Sequence, residues 1–585
     1  MVSARETSRK MKRYLALGFV VCALLVLGEG SFWAIRVTNA LEAVQSRLPS
    51  VSQAVASRHW TIAIKNLAQL AAPAQQLSED LGWVKDFAWV PGLGPDAMRL
   101  GWLITALTAT TTAAQAWRPL VTAWDQNPDP LNATLSRLTP AAVLAAAEAL
   151  HMLEAVPPKT LHVSSPLERR FAAFRREVGP WAQLGAVLTH DPHAVKTFLR
   201  WSHTARFLVL FQDSGELRST GGFLAAYGYL TWRHRHVSLT FEPNIATLNN
   251  HLRLHFPAPW VIREYFGEQR LSFINANINP NVPTSARLIE RLYDSVPHHR
   301  PIQGIVWVNS WFADQVIQVL GAVRADGVTF TAHNLLTAME YMAERRPLPG
   351  SRRLLFLGQI LDQLRARAET SQGALAELLP IIREALRDQE VMLYANNPGV
   401  ETWLTREGWA GAIPPLPHTN SFLLLNDNYG GLKDNYELKT GVRIDVKRTA
   451  AGRYLETVDT TWTMTGVADG WMIGTYVGWV QCLMPRGTRL VSLVGEHLHG
   501  IRRTTLGALH RVAYGTGILI APRRNATSPP HVRRLKWTFE LPRLAHPRTL
   551  VYLVQPGIPA ETVTYDKGSE AVTRVVHHSL VLHVR

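Results

Sequence analysis

Cysteine is almost absent from this chain of 585 residues, which contains only Cys22 and Cys482. Two such distant thiols, one of them inside an apolar N-terminal run, cannot form a framework of crosslinks, so a disulfide scaffold is excluded. Stability must come from packed cores. A chain of this length with 47% hydrophobic residues can bury several cores, and two or three domains are expected.

Motifs of several familiar enzyme classes are also missing. The sequence has no Gly-x-Ser-x-Gly elbow, no phosphate-binding Gly-Lys-Ser/Thr loop, no Cys-x-x-Cys pair and no His-Glu-x-x-His helix. These absences argue against the corresponding hydrolases, nucleotide triphosphatases and zinc proteases. His497 and His499 have the spacing of a metal-binding pair on a strand, but with only Glu496 nearby they also fit a solvent-facing pair.

A basic flank precedes the longest apolar run. Five basic residues and the single acid Glu6 come before an apolar run over residues 14–28, which residues 31–35 extend past Glu29. This length matches the roughly 20 residues that cross a bilayer, and a basic flank stays in the cytoplasm. A cleaved signal peptide is the alternative, although the segment after the apolar run lacks a small-x-small cleavage pattern. We therefore predict a cytoplasmic flank over 1–14, a single transmembrane anchor over 15–36 and an extracytoplasmic remainder.

The formal net charge is +16. A basic exterior beside a membrane favours anionic lipid, a phosphate-bearing polymer or an acidic glycan as a neighbour. A generally arginine-rich proteome would explain the same charge without any ligand. The predicted location argues against nucleic acid as a partner.

Three regions with different hydrophobic patterns follow the anchor. Residues 37–200 carry apolar positions at helical spacing, and the uncharged stretch 100–117 is interpreted as a buried helix, with a second membrane span as the alternative. Strand-like and helical runs then alternate over 201–412. Strand-like runs alone follow over 413–585, among them 457–465, 535–541 and 576–584. The predicted fold is α+β and multidomain: an N-terminal transmembrane helix, a helical membrane-proximal region, a central mixed α/β sheet domain and a C-terminal β-sandwich.

The run LVLFQDSGELRSTGGFLAAYGYL, residues 208–230, places charged residues between two strand-like segments. The first strand brings Asp213, Glu216 and Arg218 to one corner, and Gly221 and Gly222 allow a backbone geometry that a side chain would forbid. Three interpretations stay open for this corner: a structural ion pair between Glu216 and Arg218, a ligand site, and a catalytic site.

This run resembles the core signature of the bacterial domain-of-unknown-function family 4012, which reads Glu-Leu-Arg-x-Thr-Gly-Gly-Phe after a strand. Further likeness lies in NANINPNVPTSARLIERLY from residue 275, in 303–323, in 383–411 and in NDNYGGLKDNYELK from residue 426. The sequence departs from the family at Asp213, Ser219 and Gln303, where Asn, Pro and Asp are commoner. The resemblance implies a membrane-anchored bacterial envelope protein near polysaccharide or cell-wall functions, with no established activity.

The order of elements is also similar to that of the LytR-CpsA-Psr glycopolymer phosphotransferases, which bind a lipid pyrophosphate through arginines and a metal through acids. By this analogy Arg218, Arg263 and Arg270 would clamp phosphate, and Asp213 with Glu216 would bind magnesium. Asn426 and Lys433, in a run typical of either a ligand loop or an ordinary turn, complete the ligand-binding candidates. Gly221 and Gly222 are the backbone-critical positions.

These observations predict a protein that binds or organises a cell-envelope glycopolymer or an envelope partner, and no cofactor is established. The alternative is a metal-assisted phosphotransferase that acts on a lipid-linked glycopolymer, with magnesium as cofactor and a polyprenyl pyrophosphate lipid as ligand. The two hypotheses differ most at Glu216 and Arg218. A catalytic pair can be neutralised without loss of the fold, whereas a structural pair cannot.

Overall fold

The chain is described by a computed structural model. It describes parts of residues 35–81, 104–122 and 140–151, and all of 187–201, 204–233, 236–345, 355–370, 374–544, 546–566 and 571–583. The chain divides into two compact units, Met1–Leu199 and Arg200–Arg585. The predicted flank 1–14 and nearly all of the predicted anchor 15–36 lie outside the described residues.

The described part of the first unit is helical. Helices α1 (Trp60–Gln69), α2 (Ala71–Leu81) and α3 (Pro192–Arg200) are accompanied by helical residues over parts of 35–51 and 104–119. Buried leucines such as Leu48, Leu70 and Leu77 form its apolar contacts, and Arg36 pairs with Asp80 at 3.2 Å. Among the helices described here, none has both the length and the hydropathy that a bilayer crossing requires.

The second unit begins with a five-stranded sheet in the order β3-β2-β1-β4-β7. Strands β1 and β4 are parallel, and the other neighbours are antiparallel. Leucine, isoleucine, valine and aromatic residues dominate β1 and β4, as expected for strands buried in the middle of a sheet. The strands are β1 (Thr204–Asp213), β2 (Phe223–Arg233), β3 (His236–Glu242), β4 (Gly304–Asn309) and β7 (Val391–Ala395).

Helices surround this sheet and a small hairpin. Asn309 ends β4 and caps the next helix, because its side chain accepts the backbone N–H groups of Trp311 and Phe312. The elements are α4 (Ala246–Asn250), α5 (Trp260–Phe266), α6 (Val282–Asp294), α7 (Ser310–Leu320), the hairpin β5 (Val323–Ala325) and β6 (Val328–Phe330), α8 (Leu335–Glu344), α9 (Leu355–Thr370), α10 (Ala374–Arg387) and α11 (Pro398–Arg406).

Two six-stranded sheets follow, in the orders β12-β15-β10-β9-β17-β18 and β13-β14-β11-β8-β16-β19. Alternating side chains of both sheets meet in one core that contains Trp462, Trp537 and Tyr476. The strands are β8 (Thr419–Asn428), β9 (Leu438–Arg448), β10 (Tyr454–Met464), β11 (Tyr476–Pro485), β12 (Arg489–Val494), β13 (Arg502–Leu506), β14 (Arg511–Ile520), β15 (His531–Glu540), β16 (His546–Leu553), β17 (Glu561–Asp566), β18 (Ala571–Val576) and β19 (Leu580–His583).

The prediction of a mixed α/β chain with several sheets and helices is confirmed. One predicted strand is wrong in extent: residues 576–584 do not form a single strand, because β18 ends at Val576 and β19 begins at Leu580 in the other sheet. The intervening His577, His578 and Ser579 form the corner between the sheets. The boundary predicted near residue 412 falls inside the second unit.

Candidate functional site

The charged corner lies where β1 ends. Asp213 is the last residue of β1, and its Oδ1 accepts the backbone N–H of Gly215 at 2.8 Å, which starts a single 3-10 turn over Ser214–Glu216. This local bond turns the chain sharply and leaves Glu216 and Arg218 beside the strand end.

The glycine pair after the turn packs directly against the backbone at the end of β1. Gly221 has a φ of +116°, and a Cβ at Gly222 would lie 2.4 Å from the carbonyl oxygen of Asp213. Only glycine avoids this clash. Ser214 holds the same turn, because its hydroxyl donates to the carbonyl of Gly221 at 2.8 Å.

Four charged side chains form a buried network at this corner. Arg218 Nη2 lies 2.6 Å from Glu216 Oε1, and Lys433 Nζ lies 2.9 Å from Asp213 Oδ2 and 3.1 Å from Glu216 Oε2. Lys433 belongs to the loop between β8 and β9, so the network joins the five-stranded sheet to the β-rich region. Each of the four residues is at most 8% exposed. Every carboxylate oxygen of Asp213 and Glu216 therefore has a partner.

Neutral groups complete the shell around Asp213. The hydroxyl of Tyr436 lies 2.9 Å from Asp213 Oδ1, to which it donates, and 2.9 Å from Ser310 Oγ. Ser310 Oγ in turn accepts the backbone N–H of Ser214 at 3.2 Å. Burial, with the charge of Asp213 as the second cause, raises the pKa of Tyr436 well above its ordinary value, so this hydroxyl keeps its proton.

Lys433 keeps its charge despite its burial. Burial alone would lower the pKa of Lys433, but the carboxyl groups of Asp213, Glu340 and Glu216 raise it overall. Glu340, on α8, is therefore close enough to act on the network electrostatically. Burial first, and then the charge of Asp213, raise the pKa of Glu340 well above its ordinary value.

Arg218 also binds the start of the loop after β8. Its Nη1 donates to the carbonyls of Asn428 and of Leu217, the latter at 3.2 Å, and its guanidinium carbon lies 5.0 Å from the ring centroid of Tyr429. Beside it, the Ser219 hydroxyl donates to the buried carboxyl group of Asp427 at 2.9 Å. Burial raises the pKa of Asp427 to about 7.

The other predicted ligand residues do not join the network. Arg263 and Arg270 are exposed, and Arg263 Nη1 donates to the carbonyl of Ala258 at 2.6 Å. No contact between either of them and Arg218 is present among the described residues, and the clamp of three arginines stays a prediction. Asn426 is buried and accepts from Trp462 Nε1 at 2.7 Å, which makes it part of the β core.

The predicted magnesium site has no structural support. A divalent ion would have to lie between the carboxylates of Asp213 and Glu216, and Lys433 Nζ already bridges them there. In the part of the chain that the structure describes, no group of three His, Cys, Asp or Glu side chains is arranged to hold a metal ion. His497 and His499 lie in the loop after β12, and His497 Nδ1 contacts the backbone carbonyl of His499 at 2.9 Å.

Sequence reasoning missed four residues of the site. Tyr436 and Asp427 lie in the run from residue 426 that carries the family resemblance, so this run signalled more residues than Asn426 and Lys433. Ser310 follows the N-cap Asn309, and Glu340 lies within an ordinary amphipathic helix. Neither position has a sequence signal that separates it from structural residues of the same type.

The arrangement is that of a structural joint with one exception. Asp213, Glu216, Arg218 and Lys433 neutralise one another inside the protein, which fixes the end of β1 against the loop after β8. Glu340 is 9% exposed and has no hydrogen-bond partner in the described structure. Asp213, Lys433 and Glu216 influence its carboxyl group electrostatically.

Comparison with known proteins identifies one family. The chain shows no significant similarity to any curated protein or to any solved structure, and the likeness to the LytR-CpsA-Psr enzymes receives no support. Residues 203–343, which run from β1 to α8 and include Asp213, Glu216, Arg218 and Glu340, match the family model described as "Protein of unknown function (DUF4012)". This match supports the resemblance to that family over this segment.

Proposed function

We propose that the protein is a membrane-anchored extracytoplasmic protein that binds or organises a cell-envelope glycopolymer or an envelope partner, without catalysis at the Glu216–Arg218 corner. The anchor is the apolar run within 15–36, and the basic flank places the N-terminus in the cytoplasm. The observation that supports the absence of catalysis is that the acidic and basic side chains of the corner are buried and pair with one another.

A catalytic corner needs groups that can reach a substrate. The oxygens of Asp213 and Glu216 are already occupied by Lys433, Arg218, Tyr436 and a backbone N–H. Opening this network would leave buried charges without partners, at a cost of about 3–5 kcal/mol. A metal-assisted phosphotransferase is therefore the weaker proposal, and no arrangement among the described residues favours it.

The outer face of the first six-stranded sheet supports an anionic ligand. On β9, Lys439, Arg443 and Lys447 alternate with buried Val442 and Ile444, so the three basic side chains share the outer face. Arg443 pairs with Asp566 at 2.7 Å and Lys447 pairs with Asp445 at 2.5 Å. Lys439 has no ion-pair partner in the described part of the chain.

The same face continues onto β15. Arg534 and Lys536 alternate with buried Leu535 and Trp537, and neither forms an ion pair within the described residues. Asp459 lies opposite Lys536 in the strand register and forms no ion pair among the described residues, so it offsets one of these positive charges. A surplus of unpaired positive charge on a flat sheet fits a polymer with phosphate or carboxylate groups.

The test is binding of the full-length chain, purified in mild detergent, to a glycerol-phosphate polymer and to neutral dextran of the same length. We expect binding to the anionic polymer to weaken at least about tenfold between roughly 0.01 and 0.15 M ionic strength, because salt screens exposed charges. The variant Arg534→Glu/Lys536→Glu should lose most of this binding. Arg503→Glu, on the exposed edge strand β13 of the other sheet, is the matched control.

Two results would contradict the proposal. The first is the absence of binding to any envelope polymer at low salt. The second is transfer of a phosphoryl or glycosyl group from a polyprenyl pyrophosphate substrate that Glu216→Gln abolishes while the fold is retained, which would establish the phosphotransferase instead.

A further inference from the structure

Two aromatic rings from distant parts of the sequence meet at the surface. Tyr341 on α8 is 56% exposed, and its ring centroid lies 5.8 Å from that of Trp471 at an interplanar angle of 84°. Trp471 belongs to the loop between β10 and β11 and is half-buried. Trp471 also packs against the β core. The Tyr341 hydroxyl and the Trp471 indole N–H have no hydrogen-bond partner among the described residues.

The loop holds Trp471 in a fixed orientation. Asp469 Oδ1 accepts the backbone N–H groups of Trp471, Met472 and Ile473 at 3.0, 2.8 and 2.8 Å. Burial would raise the pKa of Asp469, but these backbone donors lower it overall. These bonds fix the backbone that carries Trp471, and packing against the β core and Tyr341 restricts its ring, which reduces the entropy that a ligand must overcome on binding.

The helix that carries Tyr341 also carries a buried acid without a hydrogen-bond donor. Glu340 precedes Tyr341 on α8, is 9% exposed and has no hydrogen-bond donor in the described structure. Asp213 and Lys433 both shift its pKa electrostatically, and the backbone N–H of Lys433 donates to the carbonyl of Met472, the neighbour of Trp471, at 2.8 Å. Glu340 and Trp471 therefore flank the same residue, Lys433.

We infer that Glu340, Tyr341 and Trp471 form a binding site for a pyranose residue. The ring of the sugar stacks on Trp471 with Tyr341 at its side, and a sugar hydroxyl donates to the carboxyl group of Glu340. An apolar ring face beside a few unpaired polar groups is the combination that small-ligand sites use, and a pyranose offers both an apolar face and hydroxyl donors. The inference rests on the proposed function, for which it names the class of the bound unit and its position.

Two other features of the second unit, Trp260 and Arg511, give weaker support for a ligand site. Half-buried Trp260 has one ring face covered by Arg502, whose guanidinium carbon lies 3.6 Å from the ring centroid. Buried Arg511 donates to Ser421 at 2.9 Å without a carboxylate nearby, but no second observation there identifies a ligand.

The test uses the full-length chain in mild detergent and neutral tetrasaccharides as probes: maltotetraose, cellotetraose and the N-acetylglucosamine tetramer. Affinity is measured by calorimetric titration and by quenching of tryptophan fluorescence. We expect at least one tetrasaccharide to bind, and Trp471→Leu to weaken its binding at least about tenfold, as expected for loss of a stacked aromatic contact. Tyr341→Ser, at an exposed position that tolerates substitution, and Glu340→Leu should weaken it in the same direction.

Trp260→Leu is the matched control, because Arg502 already occupies that ring face and no loss of binding is expected. If the wild-type chain binds a tetrasaccharide and both Trp471→Leu and Tyr341→Ser bind it equally well, the site is elsewhere and this inference is wrong while the proposed function stands. If no neutral sugar binds but the glycerol-phosphate polymer does, the inference is again wrong. If neither binds, both proposals fail.

Discussion

Replacement of Arg218 by methionine removes the cation of a buried pair while keeping most of the side-chain volume. The variant loses the 2.6 Å contact with Glu216, the donors to the carbonyls of Asn428 and Leu217, and the position over the Tyr429 ring. Breaking one partner of a buried ion pair costs about 3–5 kcal/mol, because the remaining charge is left without compensation. Glu216 keeps Lys433 at 3.1 Å, so we expect a loss near the lower end, about 3 kcal/mol.

The measurement is urea unfolding of the full-length chain in mild detergent, followed by the fluorescence of its 19 tryptophans. A loss of about 3 kcal/mol lowers the urea midpoint by roughly 1 M at a denaturant dependence of about 3 kcal/mol per M. Arg263→Met is the matched control: this arginine is exposed and donates to one backbone carbonyl, so a change within about 1 kcal/mol is expected.

A double-mutant cycle separates the ion pair from the lost packing. Glu216→Gln combined with Arg218→Met removes both charges, so the double variant should be less destabilised than the sum of the single variants by at least about 1 kcal/mol. The reasoning is refuted if Arg218→Met loses less than about 1 kcal/mol, or if the two changes are additive. Either result would mean that the corner is not a structural joint.

Stability of the second unit should fall as the pH rises from about 4.5 to 7. Burial raises the pKa values of three fully buried acids, Asp427, Glu456 and Glu561, to about 7. In the unfolded chain the same groups lose their protons at about pH 4. The folded state therefore binds more protons than the unfolded state across this window, and its stability falls as the pH rises. Each contributes up to roughly 3 kcal/mol, and urea midpoints that rise with pH over this window would contradict the assignment. Separately, Gly222→Ala should cost more than about 3 kcal/mol, since its Cβ would lie 2.4 Å from the Asp213 carbonyl oxygen, while Gly267→Ala, with φ +69° and open space around it, should cost about 1 kcal/mol. Equal midpoints for the two glycine variants in urea would show that the Gly222 backbone can relax.

Local chemistry made part of this structure predictable. Asp213, Glu216 and Arg218 lie within six consecutive positions that begin at the last residue of a strand, so their proximity follows from the sequence once a turn is recognised. Asn309 at the start of α7 is an N-cap of the expected type. The alternation of apolar residues also gave β10 and β15 to within a few residues.

Contacts between residues distant in the sequence could not be predicted from it. Lys433 lies more than two hundred positions from Glu216, and its contact depends on how the end of β8 meets the end of β1. Arg263 and Arg270 have the same chemistry as Arg218, yet they lie at the surface, because exposure depends on which side of a helix or loop a residue occupies in the folded chain. Residue type alone could not separate the buried arginine from the exposed ones.

The difference between Glu216 and Glu340 indicates where function lies in this fold. Both are acids at most 9% exposed and both raise the pKa of Lys433, but each oxygen of Glu216 is bonded to a cation, whereas Glu340 has no donor among the described residues. Folding alone favours the replacement of an unpaired buried acid, since its desolvation is not compensated. A ligand hydroxyl would supply the missing donor. The satisfied part of the network therefore holds the fold together, whereas Glu340, with its neighbour Tyr341, belongs to the site that we propose for ligand binding.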